Sequence, residues 1–191
     1  MPAEVPLPPL VAAASARAGQ VGFPMSCDPV VGRLLAVLAA HVPAGGRVLE
    51  LGTGAGVGAA WIVSGLAPRT DVTVISVESD PATAAVAAGG SWPSFVDLRC
   101  DDALAVLAEA GTFDLIFADA PAGKWKGLDR SVAALSPYGL LVVDDMTPGP
   151  EWTDAHRAAS EGVRQALLSA PGMTSAELAV GSGVILSVRG A

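Results

Sequence analysis

The stretch from Arg47 to Ala60 reads R-V-L-E-L-G-T-G-A-G-V-G-A-A, and the rest of the chain is placed from it. Val48 to Leu51 is a short apolar run of the kind that fills a buried strand. It stops at a turn dense in glycine, with Gly52, Gly54, Gly56 and Gly58. Apolar residues at helical spacing follow, through Ala60, Trp61 and Leu66. Strand, glycine turn and helix together open a ligand crevice at the carboxyl edge of a parallel sheet. Glycine permits the tight turn and lets a ligand approach the main chain. The helix after it aims unpaired N–H groups at whatever sits there.

Upstream, residues 1–9 are rich in proline and are expected to be loosely ordered. Val11 to Ala18 reads as a short helix ending at Gly19, and residues 22–29 read as a loop. Ser26 or Asp28 caps the next helix, Val30 to His41, with Pro29 suited to its first turn. Downstream, strands are expected at Asp71–Glu78, Phe95–Cys100, Phe113–Ala118 and Leu140–Asp144. Helices are expected from Asp80-Pro81 to Gly89, over Asp102–Ala110, around Leu128–Leu135 and over Thr153–Ser169. Met173–Val180 and Val184–Arg189 flank Gly181-Ser182-Gly183 as a hairpin. Strands alternating with helices imply an α/β fold. It is a doubly wound, Rossmann-like sheet, mostly parallel, with helices on both faces and a C-terminal antiparallel hairpin strand.

The 191 residues suit one domain, with 1–20 as an N-terminal extension and 21–191 as the core. Hydrophobic residues make up 51%, enough for a sizeable interior, and no apolar run approaches a membrane span. Leu7 to Ala16 imitates a secretory signal but lacks a basic start and follows or contains Pro6, Pro8 and Pro9. The net charge of -8 argues against a nucleic-acid partner. Cys27 and Cys100 have neither metal nor redox spacing, so they read as reduced thiols in a cytoplasmic protein.

By pattern alone the glycine turn is ambiguous, since Gly54 to Ala59 satisfies a G-x-G-x-x-A dinucleotide fingerprint. The surrounding charge decides. Glu50 lies on the first strand. Glu78, Asp101 and Asp102, Asp119, and Asp144 and Asp145 fall at the ends of the later ones. The strand ends of a parallel sheet line one edge, so these acids converge there. They repel a pyrophosphate and attract a sulfonium, an ammonium or a metal cation.

V-L-E-L-G-T-G-A-G resembles the first motif of class I S-adenosylmethionine-dependent methyltransferases. The succession of Glu78, Asp102-Ala103, F-D-L-I-F-A-D and G-L-L-V-V-D-D is similar to the cation-dependent small-molecule O-methyltransferases, the catechol and caffeoyl-CoA group. The likeness covers about residues 20 to 190.

It implies that backbone around Gly52 and Gly54 holds the methionine part of S-adenosylmethionine, with Glu50 near its ammonium. Thr53, Gly56 and Ser79 belong to the same cofactor site. Glu78 accepts the ribose hydroxyls, and Asp102 with the Ala103 N–H meets the adenine edge. Asp119, Asp144 and Asp145 match the positions that bind a divalent cation, Mg²⁺ by expectation. Asp119 also counts with the cofactor and catalytic residues. The group usually carries asparagine where this chain has Asp145. Its D-x-x-K spacing is stretched here to Asp119-A-P-A-G-Lys124, with Lys124 the expected general base. The implied activity is methyl transfer to a hydroxyl of a small molecule, and a homodimer is entertained.

Other residues have two readings. Trp125 and Trp152 wall an acceptor pocket or cap the sheet edge. His156 meets the acceptor or lies on the surface. Met25, Ser26 and Cys27 close over the methionine moiety or form a plain loop. His41, Cys100 and Trp61 read as packing residues. Competing activities are an NAD(P)-dependent oxidoreductase, a non-catalytic cofactor binder, and an RNA cytosine methyltransferase. The last is suggested by A-D-A-P at Ala118 to Pro121, though Ala122 stands where that family has its nucleophilic cysteine.

Overall fold

The computed structural model describes residues 5–191, so the first four residues of the proline-rich start lie outside it. The elements are α1 (Pro9–Gln20), α2 (Pro29–His41), β1 (Arg47–Leu51), α3 (Val57–Leu66), β2 (Thr73–Glu78), α4 (Pro81–Ala88) and β3 (Val96–Cys100). They continue with α5 (Ala103–Glu109), β4 (Phe113–Ala118), α6 (Leu128–Ala133), β5 (Leu135–Val143), α7 (Asp154–Ser169), β6 (Met173–Leu178) and β7 (Val184–Arg189).

Seven strands form one sheet in the order β3-β2-β1-β4-β5-β7-β6. β1 to β5 run parallel, and β7 is antiparallel to both β5 and β6. The chain starts at the sheet centre, steps outward to β3, then returns to lay β4 on the other side of β1. That reversal leaves a crevice at the carboxyl ends of β1 and β4.

Side chains alternate across each strand, which sorts the core into two clusters. Val48, Val74, Leu115 and Phe117 face α1, α2 and α3. Leu49, Ile75, Ile116 and Leu141 face α5 and α7. Each such side chain contributes about 1.5–3 kcal/mol by burial. A Cβ on Gly32 would fall 2.2 Å from the Trp61 ring, and one on Gly65 would fall 2.1 Å from the Ala36 carbonyl oxygen. These positions let α2 lie directly on α3, and Trp61 is a packing residue as expected.

Helix starts follow the capping residues. Asp28 caps α2 through the Val30 N–H, Asp80 caps α4, Asp102 caps α5 and Thr153 caps α7.

Several boundaries differ from the sequence reading. α1 begins at Pro9 and runs through Gly19 to Gln20. β2 starts at Thr73, because the Asp71 carboxylate is used instead by the Gly45 N–H and by Arg69. Leu135 leaves the expected helix and opens β5, pairing with Phe113 before a register shift. The turn Pro137-Tyr138-Gly139 is therefore a bulge inside β5, with Tyr138 at φ 63°.

Candidate active site

Main chain and carboxylate meet at the glycine turn. Gly52 sits at φ 102°, and a Cβ there would fall 3.0 Å from the Ala120 Cβ. The loops after β1 and β4 thus nearly touch, which only glycine allows. The N–H groups of Gly52 and Thr53 both donate to the Val77 carbonyl, at 2.9 and 3.0 Å.

Beneath the turn, Glu50 is fully buried. Its Oε2 accepts from the Ser76 hydroxyl, which lies 2.6 Å from the Thr53 hydroxyl. Oε1 has no hydrogen-bond partner and lies against the first turn of α3, 2.1 Å from where a Cβ on Gly58 would stand. Burial pushes the Glu50 carboxyl up to about 8. The charges of Asp119 and Glu78 add to the rise, and the Ser76 hydrogen bond opposes it. A buried acceptor left open in this way calls for a donor. Glu50 also belongs to the lining of the cavity above the turn.

Three cavities adjoin. The first, about 200 Å³, is lined by Phe23, Cys27, Glu50, Gly54, Glu78 and Asp119 among others. A second, about 620 Å³, includes Gly52, Glu78, Ser79, Asp102, Ala103 and Pro121. Another, about 360 Å³, has Met25, Cys27, Asp119, Asp144, Asp145 and Ser182 in its wall. Glu78 belongs to the first and second, and Asp119 and Cys27 belong to the first and third. The Glu78 carboxylate accepts from the Gly54 and Asp80 N–H groups, both at 3.0 Å, which fixes it between the glycine turn and α4. Each oxygen keeps a free lone pair for a further donor. Asp102 spends Oδ1 on the Leu104 N–H at 2.7 Å. Burial, then the charges of Asp119 and Asp144, push the Cys27 thiol up.

Carboxylate oxygens of Asp119, Asp144 and Asp145 lie within 4.8 Å of one another. β4 delivers the first and β5 the other two. Asp119 titrates well above the usual carboxylate range, first through burial and then through Asp144 and Asp145, with Lys124 opposing. Asp144 is raised chiefly by burial, against hydrogen bonds from Ser182 and the Asp145 N–H. Those bonds converge on Oδ1, at 2.6 Å from Ser182 and 2.8 Å from Asp145. Asp145 takes a left-handed backbone, φ 58°. Lys124 is 1% exposed, and its Nζ donates to the Asp144 carbonyl at 3.1 Å and to Asp145 Oδ2 at 3.2 Å.

The expected residues therefore gather along the crevice. Gly56 stays at the turn as the left-handed cap of α3. The aromatic residues arrange themselves differently from a pocket wall. His156 stacks on Trp152 at 3.8 Å and meets Trp125 edge-on at 4.3 Å, and none of the three lines the cavities above. Cys100 is exposed and lines the second cavity, contrary to the packing role read for it. His41 is exposed at the end of α2 rather than packed.

Ser76, Ser182 and Phe23 were not singled out by sequence. Ser76 looks like any strand serine until β2 is laid beside β1. Ser182 reaches Asp144 only because β7 pairs antiparallel with β5.

A family profile described as a methyltransferase domain matches residues 49–146. An O-methyltransferase so named from Mycolicibacterium vanbaalenii is 34% identical over 94% of this chain and 84% of its own. Among solved structures, cofactor-bound Rv0187 from MTB is 27% identical with a TM-score of 0.82, covering 98% of this chain and 92% of that one. A Klebsiella pneumoniae protein titled as an O-methyltransferase gives 25% identity and the same TM-score, covering 99% and 93%. The chain belongs to the methyltransferase-domain family. Within it, it groups with the class I S-adenosylmethionine-dependent O-methyltransferases.

Proposed function

We propose that this chain carries a methyl group from S-adenosylmethionine to a hydroxyl of a small molecule, assisted by a divalent cation at Asp119, Asp144 and Asp145. One observation carries the reading: the cavity over the glycine turn and the acid-lined cavity share Asp119 and Cys27 as a common wall. Bound there, S-adenosylmethionine would supply an electrophilic methyl on a sulfonium. The open Oε1 of Glu50 suits the ammonium of its methionine part, Glu78 the ribose, and Asp102 with the Ala103 N–H the adenine edge. Three hard oxygen donors suit Mg²⁺ rather than a soft metal. Such an ion would lower the pKa of a hydroxyl that chelates it. Asp119, Asp144 and Asp145 would hold that ion beside the shared wall, and much of the acceleration would come from positioning the acceptor hydroxyl at roughly 3–3.5 Å.

The dinucleotide alternative fits poorly. The Glu78 carboxylate, held beside the glycine turn by the Gly54 N–H, opposes a pyrophosphate, and β7 enters the sheet antiparallel. The RNA reading finds Ala122, not a nucleophile, after Pro121.

The test is a screen of catechols and other hydroxylated aromatics with labelled methyl donor, with Mg²⁺ and with EDTA. Calorimetry with S-adenosylhomocysteine and NAD runs beside it. Metal-dependent label transfer to oxygen, with binding of S-adenosylhomocysteine alone, is the expected result. Binding of NAD alone would refute the cofactor assignment.

A further inference from the structure

We infer that Lys124 is the resident counter-charge of Asp145, a positioning residue that sets the net charge of the acidic site, and not the base that deprotonates the acceptor. The inference rests on the metal-assisted reading above and concerns how this chain carries three aspartates there.

A base must present a lone pair to the acceptor hydroxyl. Around the Lys124 Nζ the directions are already taken. The Asp144 carbonyl lies at 3.1 Å and Asp145 Oδ2 at 3.2 Å, and the Trp125 ring centroid is 4.6 Å away. The side chain is 1% exposed and lines neither the cofactor cavity nor the acid-lined one.

The loop explains the placement. Trp125 and Lys126 N–H groups both donate to the Pro121 carbonyl at 3.0 Å, and Ser131 Oγ holds the Gly123 carbonyl at 2.8 Å. The five residues from Ala120 to Lys124 are thereby curled so that the lysine turns under the sheet edge. A Cβ on Gly123 would fall 2.2 Å from Leu51 Cδ1, so the curl is packed tight against β1.

The consequence is electrostatic. Three carboxylates and one ammonium leave two net negative charges, which match a divalent ion. With an asparagine at 145 the lysine would keep the Asp144 carbonyl but lose the carboxylate it bonds directly, leaving a buried cation beside the ion. Without the lysine, Asp145 would add a third negative charge and lose the ammonium that bonds its carboxylate. Lysine and aspartate are therefore a coupled pair.

The test is a double-mutant cycle of Lys124→Met and Asp145→Asn, with Lys124→Arg as a charge-conserving control. Mn²⁺ affinity is read by electron paramagnetic resonance, melting is read in EDTA, and S-adenosylhomocysteine binding checks the fold. Asp145→Asn alone should weaken Mn²⁺ about tenfold or more, the usual size for losing a partner of a metal site. The double variant should recover most of that loss. In EDTA it should also melt closer to the wild type than the summed single losses. Lys124→Arg should keep Mn²⁺ affinity within about threefold.

Additive losses in both cycles would overturn the inference. So would loss of turnover by about a hundredfold in both Lys124→Arg and Lys124→Met with Mn²⁺ and cofactor binding intact, the signature of a missing base. A wild type that binds no Mn²⁺ sinks the metal reading and the charge match together. The EDTA cycle then decides separately whether the two side chains are paired.

Discussion

Glu50→Gln gives the most informative single perturbation, because it should stabilise the empty protein while weakening its hold on cofactor. Glu50 is fully buried, and its carboxyl is raised from 4.5 to about 8. In the unfolded chain it ionises near 4.5. In the folded chain it keeps its proton until about pH 8. The folded state then binds more protons than the unfolded one across that window, so stability falls as pH rises. Below pH 4.5 both states are neutral and nothing is lost, and above pH 8 the loss is constant. At 1.36 kcal/mol per pH unit the ceiling is about 4–5 kcal/mol. For a chain of this size that corresponds to roughly 10–15 °C in melting temperature.

Glutamine keeps the shape and does not titrate. The melting difference between Glu50→Gln and the wild type, in EDTA, should be near zero at pH 4.5 and widen in favour of the variant towards pH 8. S-adenosylhomocysteine should reverse the ranking, since its ammonium pairs with the carboxylate. Losing a hydrogen bond to a charged group is worth about 1.5–3 kcal/mol, or roughly ten- to a hundredfold in calorimetric affinity. A melting difference that stays flat with pH, or equal cofactor affinity, would refute the reasoning.

Further outcomes are expected elsewhere in the site. Gly58→Ala places a methyl 2.1 Å from Glu50 Oε1 and 3.3 Å from the Phe117 ring. It should cost about 1–3 kcal/mol in urea unfolding and weaken cofactor binding, and an unchanged midpoint would show the crowding to be harmless. Glu78→Ala removes the acceptor shared by the Gly54 and Asp80 N–H groups and assigned to the ribose. S-adenosylhomocysteine affinity should fall at least about tenfold by calorimetry. EDTA should abolish turnover and Mg²⁺ restore it, and full activity in chelator would release Asp119, Asp144 and Asp145 from metal duty. Ser182→Ala removes a donor that orients Asp144 Oδ1 and should weaken Mn²⁺ binding about tenfold or more without changing cofactor binding.

Local chemistry wrote much of this protein in plain view. The apolar run before Gly52, the aspartates that cap α2, α4 and α5, and the acids at the strand ends all act within a few residues of themselves. The strand, the turn and the starts of α2 and α4 were therefore legible in the sequence, whereas Asp102, expected as the first residue of its helix, is the cap before it. The β-bulge at Tyr138 escaped, because Leu135 joins β5 only by pairing with Phe113 on another strand.

The site divides along the same line. That acids gather at one rim follows from chain order in a parallel sheet. That Glu50 is left with an open oxygen depends on Ser76 from β2 and on α3 lying over it. That Lys124 points at Asp145, and that Ser182 reaches Asp144, depend on the loop after β4 and on the antiparallel docking of β7. Sequence fixes what lies within one turn or one strand of itself. Burial, and with it the strength of every charge in this crevice, is set by residues that only the folded sheet brings alongside.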